Sequence, residues 1–260
     1  MEIIYAEDKP KVCPFMPKKI NENKKGGALK LNFNIEDDSE WITLGDDEVA
    51  FFNSKVTCRS YAAGQSIFMQ DDPCKGLYII ESGLIAVRKR DEDDRSVVIR
   101  LGYPGDTLGY RPMLARESHR ASAEVTKDAS VSFIDAASMR QLISNNPMLG
   151  LKFLERTAKA LGEVEARFFE VATLSVRVRL VHLLILLRDK CGHLSADGAL
   201  VLELPLTHQD LASMIGARPE TLSRAFHELK MDGLAHTSGR QVHVAKYDRL
   251  IEELHSNIII

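Results

Sequence analysis

Between Leu154 and Ser175 the residues Leu154, Thr157, Leu161, Val164, Phe168, Val171 and Ser175 recur at alternating spacings of three and four. A helix brings such positions onto one face, and a seven-residue repeat suits a second helix of the same kind packed against it. Lys152, Glu155, Lys159, Glu163 and Arg167 take the other faces. One long helix over Met148–Leu174 therefore divides the chain, and the sequence has a different texture on either side of it. A seam of this length predicts a two-stranded coiled coil, hence a homodimer through Leu154, Leu161, Val164, Phe168 and Val171. The alternative is that the helix lays its stripe on the preceding domain.

Ahead of the helix, from Leu44 to Asp135, short apolar runs are punctuated by glycine and charge. Val56–Tyr61, Ser66–Met69, Gly76–Ile80, Leu84–Arg90, Ser96–Leu101 and Val131–Ile134 read as strands. Asp71-Asp72-Pro73, Glu81-Ser82-Gly83 and the hairpin tip Asp91-Glu92-Asp93-Asp94 read as turns. Many short strands at regular spacing predict a β-sandwich or jelly-roll barrel. Ala136–Asn145 follows as a short amphipathic helix ended by Asn145-Asn146-Pro147. Residues 1–43 read as an irregular extension, packed on the body through Trp41 or Phe33.

Behind the helix, Val176–Lys190 reads as a second helix, and Ala199–Leu204, after the turn Ala196-Asp197-Gly198, as an edge strand. Thr207–Ile215, the turn Gly216-Ala217-Arg218 and Pro219–Met231 read as helix, turn and helix. Thr207 is a good N-cap with Asp210 three residues on, and Asp232-Gly233 closes the second helix. Leu234–Thr237 and Gln241–Val244 around Ser238-Gly239-Arg240 complete a winged helix-turn-helix. The expected fold class is α+β: an extension (1–43), a jelly-roll β-barrel domain (44–146), a dimerisation helix (147–175) and a winged helix-turn-helix domain (176–260).

In that last domain Leu211, Ile215, Leu222, Phe226 and Leu229 can bury the two helices, which leaves Pro219, Glu220, Ser223, Arg224 and His227 facing outward. Arginine can donate twice to guanine, glutamate accepts from cytosine, and serine reaches thymine or phosphate. Thr207, His208, Gln209, Thr221, Arg240 and Gln241 are candidates for backbone contacts, which position without specifying. A bare i,i+4 pair of Glu220 and Arg224 on a solvated face is the alternative. Ser175–Ile260 holds ten Lys and Arg against ten Asp and Glu, and the whole chain has a net charge of −3. Binding to double-stranded DNA must then rest on arrangement and dimer avidity rather than bulk charge. The same stretch carries seven of the eight histidines, which add positive charge as pH falls.

Other function classes find little support. No apolar run approaches the roughly 20 residues of a membrane span, and Met1–Lys11 has no signal-peptide core, so a cytoplasmic location is expected. Cys13, Cys58, Cys74 and Cys191 lie far apart without a CxxC pair, and no metal site is predicted. No GxSxG, P-loop or HExxH motif points to an enzyme.

Gly105-Asp106-Thr107-Leu108-Gly109, His119-Arg120-Ala121-Ser122-Ala123-Glu124, the long helix and Pro219-Glu220-Thr221-Leu222-Ser223-Arg224 follow one another in an order that resembles the CRP/FNR family of bacterial transcription regulators, over roughly residues 44–250. The resemblance implies a homodimer that binds DNA sequence-specifically, senses a signal in its cyclic-nucleotide-binding-like barrel and contacts RNA polymerase. Glu220, Ser223 and Arg224 match the E-x-x-S-R pattern of the FNR and FixK branch, which implies a palindrome with TTGAT-like half-sites about one helical turn apart.

The resemblance also implies an effector pocket at Gly109, Tyr110, Arg120, Ala121 and Ser122. Members that bind cyclic AMP follow this glycine with a glutamate, where Tyr110 stands, and have a hydroxyl residue at Ala121 and a Thr-Ser pair at Gly162 and Glu163. Members with an iron–sulfur cluster carry three N-terminal cysteines, where this chain has Cys13, and a fourth near Ser132. Neither signal is expected, and no cofactor is required by the sequence. Haem held by His119, Cys74 or Cys58 is one alternative. Thiol redox chemistry at Cys13, Cys58 or Cys74, beside Arg59 and Lys75, is another. Also open are an unidentified small molecule, or no effector at all, with Tyr110-Arg111-Pro112 filling the pocket. A nucleotide-binding module without DNA binding rests on Arg120 alone.

Overall fold

The computed structural model describes residues 39–93, 95–195, 199–204 and 206–257. Most of the N-terminal extension, with Cys13 and Phe33, and Asp94 and the turn Ala196-Asp197-Gly198 lie outside the described residues. In chain order the elements are a 3-10 helix (Glu40–Thr43), α1 (Asp46–Lys55), β1 (Thr57–Tyr61), β2 (Ser66–Phe68), β3 (Gly76–Arg90), β4 (Ser96–Gly102), β5 (Thr107–Leu108), α2 (Tyr110–Ala115), β6 (Ser122–Asp135), α3 (Ala136–Asn145) and α4 (Pro147–Thr173). They continue with α5 (Val176–Cys191), β7 (Gly192–Leu194), β8 (Leu200–Glu203), α6 (His208–Met214), α7 (Pro219–Met231), β9 (Ala235–Ser238), β10 (Gln241–Val244) and α8 (Tyr247–Asn257). The chain forms two compact units. One holds the described residues through Val87 with Leu101–Ala158, and the other Arg88–Arg100 with the described residues from Lys159 onward.

β1–β6 form one six-stranded sheet in the order β1-β6-β3-β4, with β2 paired antiparallel to β6 and β5 to β3. Side chains on a strand alternate between faces. Along β6, Ala123, Val125, Ala129 and Val131 face an inner core with Phe68, Ile80, Ile85 and Leu108. Ile134, of opposite parity, joins Leu77 and Ile79 in a second core with Trp41, Phe52, Met139, Leu142 and Phe153. Trp41 is 1% exposed, so the extension does end in a packed anchor.

The expected turn at Glu81-Ser82-Gly83 is absent. The two runs around it are one strand, β3, and the face parity changes within it: Ile80 is inward before the glycine, Ile85 and Val87 after it. Such a one-residue shift moves side chains between faces without ending the strand. Gly83 adopts φ +93°, and a Cβ there would stand 2.4 Å from the Asp128 carbonyl oxygen. Ser82 Oγ accepts from the backbone amide of Ser130 at 3.2 Å, so the ladder is held across the irregularity. Val131–Ile134 likewise is only the end of β6. Tyr110-Arg111-Pro112 begins a helix, α2, that no local sequence pattern announces, and α1 and α8 are further elements beyond the expected ones.

In the second unit α5 is apolar on most sides, with Leu180, Val181, Leu184 and Leu187 buried. The small sheet runs β7-β8-β10-β9. β8 is therefore an interior strand and not the expected edge, because Gly192–Leu194, between the expected helix and the turn, pairs along it.

Candidate nucleic-acid interface

The helix-turn-helix is built by local chemistry. Thr207 Oγ1 accepts from the Asp210 amide at 3.1 Å, and Asp210 Oδ2 accepts from the Thr207 amide at 2.9 Å, a reciprocal capping box that starts α6. At the turn Gly216 takes φ +60°, a conformation that glycine adopts without a Cβ penalty. The Arg179 guanidinium donates to the Ile215 carbonyl at 2.7 Å and pins the turn to α5. Arg179 is itself buried, which lowers its pKa. Pro219 opens α7, where a missing amide costs nothing.

Leu222, Ala225, Phe226 and Leu229 of α7 are buried, and Glu220, Ser223, Arg224 and His227 are exposed on its other side. Pro219 and Thr221 are half-buried. Thr207, His208 and Gln209 are exposed at the start of α6, and Arg240 is exposed between β9 and β10. The candidate DNA contacts thus all belong to one unit and are wholly or partly exposed. Thr207 comes with a constraint, since its hydroxyl oxygen already accepts from Asp210. Gln241 Nε2 donates to Glu203 at 3.4 Å.

Three features here were not expected. The first is Asp210, which besides its capping role accepts two hydrogen bonds from the Arg88 guanidinium. Both side chains are largely buried. Burial alone would raise the pKa of Asp210, but the hydrogen bonds from Arg88 and Thr207 hold it below the usual carboxylate range. The second is a hydrogen bond from the Val98 amide to Ser213 Oγ of α6, at 3.1 Å. The third is a groove of about 240 Å³ lined by His208, Ser223, Phe226, His227, Lys230, His236 and Thr237. Of its residues, His236, Lys230 and Thr237 went unnoticed in the sequence. Counting outward from Ser238-Gly239-Arg240 in a hairpin register would have placed His236 opposite His243, where they indeed pair.

Along α4 the seam residues are open: Leu154 is 62% exposed, Leu161 59%, Val164 60%, Phe168 75% and Val171 45%.

The candidate effector-pocket residues stand in different surroundings. Tyr110 is buried in the second core, its ring 6.0 Å from that of Phe153. The Arg156 guanidinium stands over Tyr110 at 5.4 Å and is itself held by Glu40 and Asp106. Arg120 points to solvent and is paired with Glu117 through two hydrogen bonds. Ala121 and Ser122 are buried, and Ser122 Oγ accepts from the Gln70 amide at 2.9 Å. Gly109 caps α2 with φ +83°. His119 is 2% exposed and stacks on Phe68 with ring centroids 3.8 Å apart, and its Nε2 has no hydrogen-bond partner among the described residues. Burial pushes its pKa down. The Cys74 thiol lies 3.5 Å from the carbonyl oxygens of Gly76 and Gly109, and burial raises its pKa. Cys58 Sγ lies 3.0 Å from Ser130 Oγ.

Among the described residues no helix is long and apolar enough to cross a membrane.

Comparison with known proteins matches two domain families. Residues 58–146 match the cyclic nucleotide-binding domain and residues 178–253 the Crp-like helix-turn-helix domain. The chain is 26% identical over 211 residues to the transcriptional activator protein FnrL of Cereibacter sphaeroides, covering 80% of this chain and 84% of that protein. It is 24% identical over 202 residues to a CRP-like cAMP-activated global transcriptional regulator of Mycobacterium tuberculosis, covering 78% and 90%. Among solved structures, FixK2 from Bradyrhizobium japonicum superimposes with a TM-score of 0.65 at 25% identity, covering 76% of this chain and 96% of that one.

Proposed function

Since the chain belongs to the CRP/FNR family of transcription regulators, we propose that it works as a homodimer on a palindromic operator with TTGAT-like half-sites. The observation that carries this reading is the exposed set Glu220, Ser223 and Arg224 on α7, above a fully packed helix-turn-helix. The open apolar face of α4 supports pairing of two copies. Two recognition helices then meet two half-sites, with contact to RNA polymerase in the cytoplasm completing the regulatory role.

The signal at the barrel is neither cyclic AMP nor an FNR-type iron–sulfur cluster. Against cyclic AMP, Tyr110 lies in the core where a ribose-holding glutamate would stand, and Arg120 is paired with Glu117 at the surface. Against the cluster, residues 1–43 carry one cysteine, Cys13, where three would be needed. A second reading, a haem- or thiol-based sensor, draws on the buried and unpartnered Nε2 of His119. An absorbance spectrum of anaerobically purified protein tests the haem form of the second reading, which a Soret band would select.

Arg224→Ala tests the DNA reading. Loss of a bidentate base contact is expected to cost about 1–3 kcal/mol per half-site and to relax preference at one base pair. Unchanged affinity and preference in this variant would refute the assignment, and would leave Arg224 as a solvated surface charge.

A further inference from the structure

The groove beside α7 has an unusual lining for a DNA-reading surface. His208 comes from α6, His227 and Lys230 from α7, and His236 from β9, with the hydroxyls of Ser223 and Thr237 between them. Phe226 forms the floor, its ring 6.1 Å from that of His208. On β10, His243 stacks on His236 with ring centroids 4.9 Å apart and planes 10° from parallel. Among the described residues lining the groove, Lys230 is the one with a fixed charge and none is a carboxylate. Of the acidic side chains of α7, Glu228 lies 3.9 Å from Arg177, and Glu220 shares the exposed face of His227 with the cation Arg224. The groove also adjoins Ser223, within the base-reading set.

A concave, hydroxyl-rimmed, acid-free surface with one fixed cation suits a phosphate. A metal ion is the obvious competitor for three imidazoles. However, among the described residues no group of three or more His, Cys, Asp or Glu side chains is placed to hold one. The imidazoles supply what Lys230 alone does not, but only when protonated, and histidine is the side chain whose charge changes between about pH 5 and 8. A bound phosphate favours the protonated form, so the proton and the DNA must bind cooperatively. The His236–His243 stack sets a limit, since two cations face to face at this separation repel one another.

We propose that the groove formed by His208, His227, Lys230 and His236 seats a phosphate of the DNA backbone and couples DNA affinity to proton uptake, so that binding tightens as pH falls. This rests on the reading of the chain as a DNA-binding regulator. It adds to that reading a proton-linked phosphate contact that the base-reading residues do not require.

The test uses the full-length homodimer and two duplexes, the half-site palindrome and a scrambled duplex of equal length. Affinity is measured against salt at about pH 6 and pH 8. One further phosphate neutralised in each protomer steepens the plot of log affinity against log salt by about 1.8, or roughly twelve-fold between 50 and 200 mM salt. The steepening is expected with both duplexes, because phosphate contacts carry no sequence information. It is expected to vanish in the double variant H227Q/H236Q. Calorimetry of the unmodified protein near pH 7, in two buffers of different ionisation enthalpy, is expected to show net proton uptake on binding. Equal slopes at both pH values with no proton uptake would overturn the proton-linked groove while leaving DNA binding in place. Failure to bind either duplex at either pH would overturn both.

Discussion

Phe168 is three-quarters exposed on α4, at 75%, the most open of the seam residues. Burying a phenylalanine side chain fully is worth about 1.5–3 kcal/mol. Covering three-quarters of it across a two-fold seam gives about 2 kcal/mol per protomer, and the symmetric pair counts it twice. Phe168→Ala is therefore expected to weaken the dimer by about 4 kcal/mol, close to a thousand-fold in the dissociation constant. Within its own protomer the side chain has little to lose, so the thermal midpoint of the isolated monomer is expected to stay within a few degrees. Sedimentation equilibrium over a wide concentration range reads the first quantity and calorimetry at low concentration the second. Glu163→Ala, on an exposed position off the seam, serves as the control and is expected to leave the dimer intact. An unmodified chain that sediments as a monomer throughout, or a Phe168→Ala dimer as tight as the original, would refute the seam as the dimer interface.

Three further outcomes follow from Asp210, His119 and Gly83. Asp210→Asn removes one member of a buried ion pair and half of a capping box, and is expected to cost about 3 kcal/mol in denaturant unfolding at neutral pH. Because the folded pKa of Asp210 is lowered, its contribution is complete above the usual carboxylate range and fades as pH falls through the folded value. The acid limb of the stability profile should accordingly flatten in the variant. His119 has a folded pKa depressed by burial, so below about pH 6.5 the unfolded chain binds more protons and stability drops as pH falls towards the folded value. His119→Leu is expected to remove that slope, which urea titrations at a series of pH values would show. Gly83→Ala forces a side chain into φ +93° and against the Asp128 carbonyl. A loss of at least about 2 kcal/mol is expected by thermal unfolding.

The C-terminal half was readable because its signals are local. The Thr207–Asp210 capping box, the positive-φ glycine at 216, the proline at the start of α7 and the buried set Leu222, Phe226 and Leu229 each act over a few residues, and together they fix a helix-turn-helix. The strand half was read less well for the opposite reason. Whether Gly83 ends a strand or shifts its parity depends on Asp128 and Ala129, more than forty residues away, which no local pattern contains. β8 was read as an edge because its outer neighbour, β7, is three residues long. Arg120 shows a third limit. Its place in a family pattern says nothing about Glu117, three residues earlier, which draws it to the surface. The groove at His227 and His236 was within reach, since hairpin register alone sets His236 against His243, but its approach to His208 needed the packed fold.

The central claim is that α7 reads a palindrome. Equilibrium competition at fixed salt, between a duplex carrying two TTGAT half-sites about one helical turn apart and a scrambled duplex of the same length, tests it most directly. Preference for the palindrome by roughly a thousand-fold or more is the expected result, with a stoichiometry of two chains per duplex. Equal affinity for both duplexes would contradict it.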